Sequence, residues 1–224
     1  MDNSVPVIAI DGPSGSGKGT VARGLARRLG WNLLDSGALY RLVALVATER
    51  SLALDNADEL AKAAATMDVE FSAADDSEQI LLSGRDVTSQ LRTEELGATA
   101  SVVAALPRVR EALLERQRSL ARRPGLVADG RDMGSVVFPR ATLKVFLTAS
   151  PDERARRRHN QLKEKGIDVS LPALSREIAE RDERDANRKV APLRTAEGAR
   201  ILDTTGMTPM EVVEQVVTWL AETA

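Results

Sequence analysis

The 224-residue sequence contains no cysteine, a single histidine and only 3% aromatic residues. The absence of cysteine excludes disulfide bonds and thiolate metal sites, and it is compatible with a reducing compartment, so we expect a cytoplasmic protein. The one histidine, His159, cannot form a metal cluster by itself, and no serine-centred catalytic triad is suggested. With few aromatic side chains and a formal net charge of -2, the chain offers neither a stacking platform nor a dominant basic balance, so we expect no nucleic-acid partner.

Long hydrophobic runs are missing as well. No apolar stretch is long enough to span a bilayer, and residues 1–3 lead directly into a strand-like segment without the pattern of a signal peptide. Hydrophobic residues make up 43% of the chain and charged residues 29%, which is the balance of a globular protein. The length accommodates one α/β core with a small insertion, and we expect a monomer with no membrane partner.

Short apolar runs that alternate with helical patterns indicate the fold class. These runs lie at 5–10, 31–34, 126–128, 143–147 and 200–202. The first is rich in β-branched residues and is typical of a strand buried on both faces of a parallel sheet. A glycine-rich turn and a predicted helix over 18–29, ending at Gly30, follow it. The pattern predicts a doubly wound α/β protein in which helices wrap a parallel sheet.

One stretch of the chain interrupts this α/β pattern. Strand-like runs at 68–71, 79–82 and 87–88 are close together, and polar turns such as Gly84-Arg85-Asp86 separate them. We therefore expect a small antiparallel insertion within the α/β fold.

A glycine-rich segment connects the first predicted strand to the first predicted helix. It reads Gly12-Pro13-Ser14-Gly15-Ser16-Gly17-Lys18-Gly19-Thr20. A position between a strand and a helix is the context that a phosphate-binding P-loop requires. Glycines let successive backbone N–H groups turn toward phosphate oxygens, the helix N-terminus adds positive potential, and Lys18 can reach the β and γ phosphates. We expect all nine residues to bind ATP.

The segment departs from the common P-loop pattern at Gly19, where many such loops place a hydroxyl that binds magnesium. Thr20 follows one position later. We expect Mg²⁺ to accompany ATP and to be held mainly by phosphates and waters, with indirect help from Ser16, Thr20 or Asp129. No residue is assigned as a direct metal ligand.

Arginines beyond the loop are candidates for the acceptor side of a phosphoryl transfer. Such transfer requires positioned cations, because charge spreads over the migrating group. The candidates are Arg41, Arg131 and a group on a late predicted helix, Arg181, Arg184 and Arg188. Arg131 follows the predicted strand 126–128, at the edge where open α/β sheets bind ligands.

Four blocks of the sequence are distinctive in combination. They are Asp11-Gly12-Pro13-Ser14-Gly15, Leu34-Asp35-Ser36-Gly37-Ala38-Leu39-Tyr40-Arg41, Ala128-Asp129-Gly130-Arg131-Asp132-Met133-Gly134 and Arg181-Asp182-Glu183-Arg184-Asp185-Ala186-Asn187-Arg188. Together they resemble the bacterial cytidylate kinases, a family of P-loop nucleoside monophosphate kinases, nearly from end to end. The expected insertion near 67–88 is similar to the enlarged monophosphate-binding region of that family. The resemblance implies phosphoryl transfer from ATP to CMP or dCMP, giving ADP and the diphosphate.

The resemblance also implies roles for individual positions. It places Arg41, Arg131 and Arg188 around the acceptor phosphate, with Ser36 and Gly37 at a helix N-terminus. It assigns the cytosine edge to Ser101, Arg110 and Asp132, the sugar hydroxyls to Arg181 and Asp185, and adds Gly130 to the CMP-binding set. A carboxylate that accepts from the cytosine amino group would favour cytosine over uracil, because uracil reverses the polarity of that hydrogen bond.

A charge run that contains Arg154, Arg156, Arg157 and Arg158 is by itself typical of a solvated helix face. The resemblance implies instead a mobile lid whose arginines fold over ATP. The predicted catalytic residues are therefore Lys18, Arg131, Arg157, Arg158 and Arg188. The predicted division of the chain is a core (1–35, 96–150 and 189–224), an acceptor-binding region (36–95) and a lid (151–188).

Two other functions are compatible with the P-loop. A kinase for a different small acceptor, such as UMP or a sugar-like acid, would use the same loop. A nucleotide-sensing regulatory module would bind ATP and change shape for a partner, but the acceptor-side arginines argue against it. The expected ligands of this chain are ATP and CMP or dCMP.

Overall fold

The computed structural model describes residues 5–74, 77–164 and 166–223. Their contacts divide the chain into two compact units. The first comprises Met1–Asp35 and Gln117–Ala224, and the second comprises Ser36–Arg116. The second unit therefore extends beyond the expected acceptor-binding region, 36–95, and includes residues 96–116.

The described residues form eight strands and eight α-helices. The strands are β1 (Val7–Asp11), β2 (Asn32–Asp35), β3 (Val69–Ala74), β4 (Ser77–Leu82), β5 (Arg85–Asp86), β6 (Leu126–Gly130), β7 (Leu143–Thr148) and β8 (Arg200–Asp203). The helices are α1 (Lys18–Leu29), α2 (Ser36–Glu49), α3 (Ala57–Thr66), α4 (Glu94–Val103), α5 (Pro107–Ser119), α6 (Pro151–Glu164), α7 (Leu171–Ala186) and α8 (Pro209–Ala221). A 3₁₀ turn spans Gln90–Arg92 and a π-helical turn spans Met133–Val137. Among these helices, none has the length and apolar character needed to cross a membrane.

The first unit is built on a five-stranded parallel sheet with the order β2-β6-β1-β7-β8. Every residue of β1 is buried, as expected for a β-branched strand with neighbours on both sides. The register pairs Asp11 with Gly130 and Asp35 with Asp129, so the carboxyl ends of β1, β2 and β6 lie at one edge. The predicted parallel α/β fold is confirmed, and this edge carries the residues of chemical interest.

Helix α1 begins and ends where glycine permits a left-handed backbone. Its N-cap is Gly17, with φ of 88°, and its C-cap is Gly30, with φ of 64°. The apolar face of α1 packs with strands β1, β6 and β7 and with α8, and Leu25 and Val216 are fully buried there. This packing fixes the N-terminus of α1 against the sheet edge, which is where the glycine-rich segment ends.

The second unit contains α2 to α4, most of α5 and the small antiparallel sheet β3-β4-β5. The insertion was expected, but its third strand was placed wrongly at 87–88. Ser83 and Gly84 both have positive φ (51° and 75°), the geometry of a tight two-residue hairpin turn. Strand pairing therefore begins again at Arg85, which we expected in the turn. Val87, which follows the strand, is fully buried.

Candidate active site

The glycine-rich segment forms a tight loop that packs against β7. Gly12 has φ of 154°, and a Cβ at this position would lie 2.1 Å from the carbonyl oxygen of Leu147. Gly15 and Gly17 adopt positive φ of 77° and 88°, so the chain reverses at each. The Lys18 Nζ donates to the carbonyl oxygen of Pro13 (3.0 Å). The loop is thus folded back on itself at the N-terminus of α1, as a P-loop requires.

The charged groups behind this loop are deeply buried. Lys18 is 8% exposed and Asp129, at the end of β6, is 7% exposed. Burial lowers the pKa of Lys18, and the nearby Arg131 acts in the same direction, whereas Asp129 opposes it. Burial likewise raises the pKa of the Asp129 carboxyl, while Lys18 opposes that rise. A polyanion at the loop would favour the charged form of Lys18, because it supplies the negative charge that the burial removes.

The Asp129 carboxylate lies close to Gly19, where the loop has no side chain. A Cβ at Gly19 would lie 3.2 Å from Asp129 Oδ2, so a larger residue would crowd this carboxylate. Within the part of the chain that the structure describes, Asp129 Oδ1 and Ser16 Oγ are buried without a hydrogen-bond partner. Thr20, the late hydroxyl, is exposed. Two unpaired oxygens beside a phosphate loop are suited to Mg²⁺ or its waters.

No larger metal-binding cluster accompanies these two oxygens. The described residues contain no group of three or more acidic, histidine or cysteine side chains placed to hold a metal ion. The residues present fit a magnesium ion that is held mainly by phosphates and waters, with Asp129 and Ser16 as the protein's contribution.

A buried ion-pair cluster lies at the same edge of the sheet. Arg131 Nε donates to Asp185 Oδ2 (2.8 Å), and Arg188 Nη2 lies 3.4 Å from Asp185 Oδ1. The three side chains are 16%, 7% and 4% exposed for Arg131, Asp185 and Arg188. Burial acts to raise the pKa of the Asp185 carboxyl, but the two guanidinium groups outweigh it and hold that pKa below its usual value. The structure thus brings together two of the predicted catalytic arginines around one carboxylate.

The other predicted ligands of the first unit are neighbours of this cluster in the chain or interact with Lys18 through their charge. Gly130 ends β6 and its carbonyl accepts from Arg131 Nη1 (3.3 Å). Asp132 is 3% exposed at the start of the π-helical turn. Arg181 is half-buried on α7, and it is close enough to Lys18 to lower the pKa of that amine. The glycine-rich loop and the arginines of this unit that were predicted to bind the acceptor therefore share one electrostatic environment.

Asp11 was not predicted as a site residue, yet it holds the start of the π-helical turn that follows Arg131 and Asp132. Its Oδ1 accepts from the Met133 N–H and its Oδ2 from the Gly134 N–H, both at 2.8 Å. The carboxylate is 3% exposed, and burial raises its pKa to about 6. An acid at the end of a wholly apolar strand was the available signal, because such a group needs buried donors.

In the second unit, the predicted phosphate ligands cluster at the start of α2. Ser36 is its first residue and is buried, whereas Gly37 is exposed. Arg41, one turn later, donates through Nη1 to the carbonyl oxygen of Leu91 (2.6 Å). A Cβ at Gly97 on α4 would lie 3.5 Å from Arg41 Nη2, which is an ordinary van der Waals contact, so the guanidinium lies directly against α4.

The predicted base-recognition residues of the second unit, Arg110 and Ser101, are both buried. Arg110 is 7% exposed, donates through Nη1 to the Ala104 carbonyl (3.2 Å) and stands over the Tyr40 ring at 5.5 Å. Ser101 on α4 is 5% exposed, and its hydroxyl has no hydrogen-bond partner among the described residues. A buried hydroxyl in this state is suited to an incoming polar ligand.

The arginines of α6 divide into different environments. Arg156 is exposed and pairs with Glu153, as a solvated helix face would predict. Arg158 donates to Gln161 on its own helix (3.1 Å). Arg157 donates to the Ser16 carbonyl (3.3 Å), to Thr204 Oγ1 (2.9 Å) and to the Thr204 carbonyl (2.6 Å), which places it at the P-loop.

Arg154 corrects the interpretation of the run as a solvated face. It is 7% exposed and donates to the Ser14 carbonyl of the loop (3.1 Å). Its spacing of three residues from Arg157 puts both on one side of the helix, which was the available signal. Thr204, which is 1% exposed and also contacts the Ser16 carbonyl, carried no such signal because its role depends on tertiary packing.

Comparison with known proteins identifies the family. The cytidylate kinase family model matches residues 8–222. A cytidylate kinase of Pseudomonas paraeruginosa is 61% identical over 219 residues, which are 97% of this chain and 96% of the relative. A cytidylate kinase of Photobacterium profundum is 55% identical over 222 residues, with 99% and 97% coverage. The chain belongs to the cytidylate kinase family.

Proposed function

We propose that this protein transfers the terminal phosphoryl group of ATP to CMP and dCMP, giving ADP and CDP or dCDP. The observation that carries the proposal is that Asp11, which precedes the P-loop, pairs with Gly130, which precedes Arg131, so the loop and this arginine follow adjacent strand ends. Arg131 and Arg181 both lower the pKa of Lys18, which agrees with this placement. A donor loop and acceptor-side cations in one environment are what phosphoryl transfer requires. Membership of the family supports the choice of CMP as the acceptor.

Catalysis in this proposal rests on positioned positive charge. The γ-phosphoryl group carries spreading negative charge during transfer, and preorganised cations stabilise that charge without forming a covalent bond to the protein. Asp185 orients Arg131 by accepting from its Nε, and the Gly130 carbonyl accepts from its Nη1. Arg188, held by the same carboxylate, and Lys18 supply further positive charge. Arg157 and Arg158 complete the proposed catalytic set.

Magnesium would neutralise part of the charge on the β and γ phosphates when it is bound. Asp129 and Ser16 are the proposed contacts for the ion or its waters, because their buried oxygens lack partners among the described residues. Gly19 supports this role by leaving room for the Asp129 carboxylate.

We assign the acceptor-binding residues individually. Ser36, Gly37, Arg41, Arg131 and Arg188 are the proposed contacts of the acceptor phosphate. Ser101, Arg110 and Asp132 are proposed for the cytosine, and Arg181 and Asp185 for the sugar. The buried, unpaired Ser101 hydroxyl and the contacts of the buried Arg110 guanidinium with the Ala104 carbonyl and the Tyr40 ring support these assignments.

The remaining proposals concern organisation. We assign residues 151–188 as the lid, 36–95 as the acceptor-binding region, and 1–35, 96–150 and 189–224 as the core. The protein is proposed to act as a monomer in the cytoplasm, without nucleic-acid or membrane partners. The lack of cysteine supports the reducing location.

The base assignment is tested by kcat/KM for CMP, dCMP, UMP, AMP, GMP and shikimate in an assay coupled to ADP release. The kcat/KM values for CMP and dCMP should far exceed those for the other acceptors. Equal kcat/KM values would contradict the base assignment. Ser101→Ala should lower kcat/KM for CMP about tenfold, as expected for one hydrogen bond to a buried ligand. Thr99→Val is the matched control, because the Thr99 hydroxyl donates only along the same helix, to Glu95.

A further inference from the structure

The loop's outward-facing carbonyl groups have well-defined partners. In each peptide group the C=O and the next residue's N–H point in opposite directions within one plane. A loop that turns its N–H groups toward a phosphate must therefore turn its carbonyls away and satisfy them elsewhere. The Pro13 carbonyl accepts from Lys18, the Ser14 carbonyl from Arg154, and the Ser16 carbonyl from Arg157. These contacts fix the orientation of the N–H groups of Ser14, Gly15 and Gly17.

Arg154 stands out among these partners because its guanidinium joins three parts of the first unit. Besides the Ser14 carbonyl (3.1 Å), its Nε donates to the Ala149 carbonyl at the end of β7 (3.2 Å). Its Nη1 also pairs with Asp182 on α7. The side chain is 9% exposed, so these contacts lie out of bulk water, where a hydrogen bond from a cation is strong.

The peptide group that Arg154 holds is one that could otherwise turn over. It joins Ser14 to Gly15, and Gly15 adopts φ of 77°, a region in which glycine moves at little cost. A Cβ at Gly15 would lie 2.9 Å from the Cβ of Arg154, so the loop already rests on α6. If this peptide turned over, its carbonyl oxygen instead of an N–H would face the phosphate.

We propose that Arg154 is a positioning residue for the donor triphosphate: by holding the Ser14 carbonyl outward, it keeps the Gly15 N–H aimed at the phosphates. The ion pair with Asp182 secures the guanidinium, and it links the loop to the helix that carries Arg181 and Asp185. This role rests on the proposed binding of ATP by the loop. It differs from the role implied for the other arginines of the assigned lid, because Arg154 would act through the protein backbone and not by contact with ATP.

Inorganic tripolyphosphate is the probe that isolates this role, because it has no base or sugar. Its dissociation constant would be measured by calorimetry for the wild type and for Arg154→Met, at a temperature where both are folded. The variant should bind about tenfold more weakly, the scale of one lost hydrogen bond from a charged group. In kinetics, the KM for ATP should rise while the KM for CMP changes less than about twofold.

Three further variants separate positioning from general stabilisation. Arg156→Met removes an exposed arginine from the same helix and should bind tripolyphosphate like the wild type. Asp182→Asn keeps the guanidinium and its contact with Ser14, so it should weaken binding by less than Arg154→Met does. Arg154→Lys retains the charge but has one nitrogen for three acceptors. It should lose affinity as well, and it serves as the test if the methionine variant does not fold.

The outcomes are distinguishable. Arg154→Met or Arg154→Lys could have a lower melting temperature and yet bind tripolyphosphate as tightly as the control Arg156→Met does. In that case Arg154 only stabilises the fold, and the inference is wrong. If the wild type itself binds neither tripolyphosphate nor ATP, the proposed function fails before Arg154 is tested.

Discussion

Replacement of Asp11 by asparagine tests the electrostatics of the site through the pH dependence of stability. The carboxylate is 3% exposed and accepts two backbone hydrogen bonds, from Met133 and Gly134. Burial raises its pKa from 3.8 to about 6, and Asp132 adds to this rise, while the two N–H donors and Arg131 oppose it. Burial is the larger effect, so ionisation of Asp11 costs the folded protein stability.

The direction follows from the two pKa values. The folded state holds the proton more tightly than the unfolded chain, so the contribution of Asp11 to stability is fully present below pH 3.8 and is lost as the pH rises through about 6. Between about pH 4.5 and pH 7 the loss amounts to about 2 kcal/mol. Asparagine does not titrate, so the variant lacks this pH-dependent contribution to stability. It also loses one hydrogen-bond acceptor, but that loss is the same at every pH.

Urea unfolding at several pH values measures the difference. The unfolding free energy of the wild type minus that of Asp11→Asn should fall by about 2 kcal/mol from about pH 4.5 to pH 7. Asp86→Asn is the control: Asp86 is exposed, and hydrogen bonds from Thr88 lower its pKa, so this difference should stay nearly flat over the same range. A difference for Asp11→Asn that is constant, or that grows with pH, would refute the reasoning.

Three other substitutions follow from the same geometry. Gly12→Ala should abolish ATP binding and cost more than about 2 kcal/mol of stability, because its Cβ would lie 2.1 Å from the Leu147 carbonyl; wild-type ATP affinity in calorimetry would contradict this. Lys18→Met should lose most turnover without a lower melting temperature, since burial disfavours the ammonium; unchanged turnover would remove the loop from the mechanism. Asp185→Asn should lower the unfolding free energy measured in urea by about 3 kcal/mol and raise the KM for CMP, because it leaves Arg131 without its carboxylate. If neither the unfolding free energy nor the KM changes, the Arg131–Asp185 pair is peripheral.

Local patterns predicted those parts of the fold that local interactions decide. The helix at 18–29 and its end at Gly30 were predicted correctly, because apolar spacing and a left-handed glycine are visible in sequence. The third strand of the insertion was not, since only the positive φ of Ser83 and Gly84 shows where the turn ends. Because this strand is only two residues long, a two-residue error in the end of the turn displaces the whole strand.

The candidate site shows the same division. The P-loop, Arg131 and Asp185 belong to distinctive sequence blocks, and the structure places them in one unit. Arg154 lies in a run of arginines that is typical of a solvated face. Its spacing puts it on the same side of the helix as Arg157, but only the packing of α6 against the loop shows that this side is buried while Arg156 is exposed. An acid at the end of an apolar strand indicates that Asp11 needs buried donors, but the sequence does not show which backbone N–H groups lie opposite the end of β1.

Product analysis tests the central claim most directly. Purified protein would be incubated with MgATP and CMP, and the nucleotides would be separated by anion exchange and quantified over time. We predict that CDP and ADP appear in equal amounts and that both require CMP. ADP without CDP, or ADP formed at the same rate when CMP is omitted, would contradict phosphoryl transfer to this acceptor.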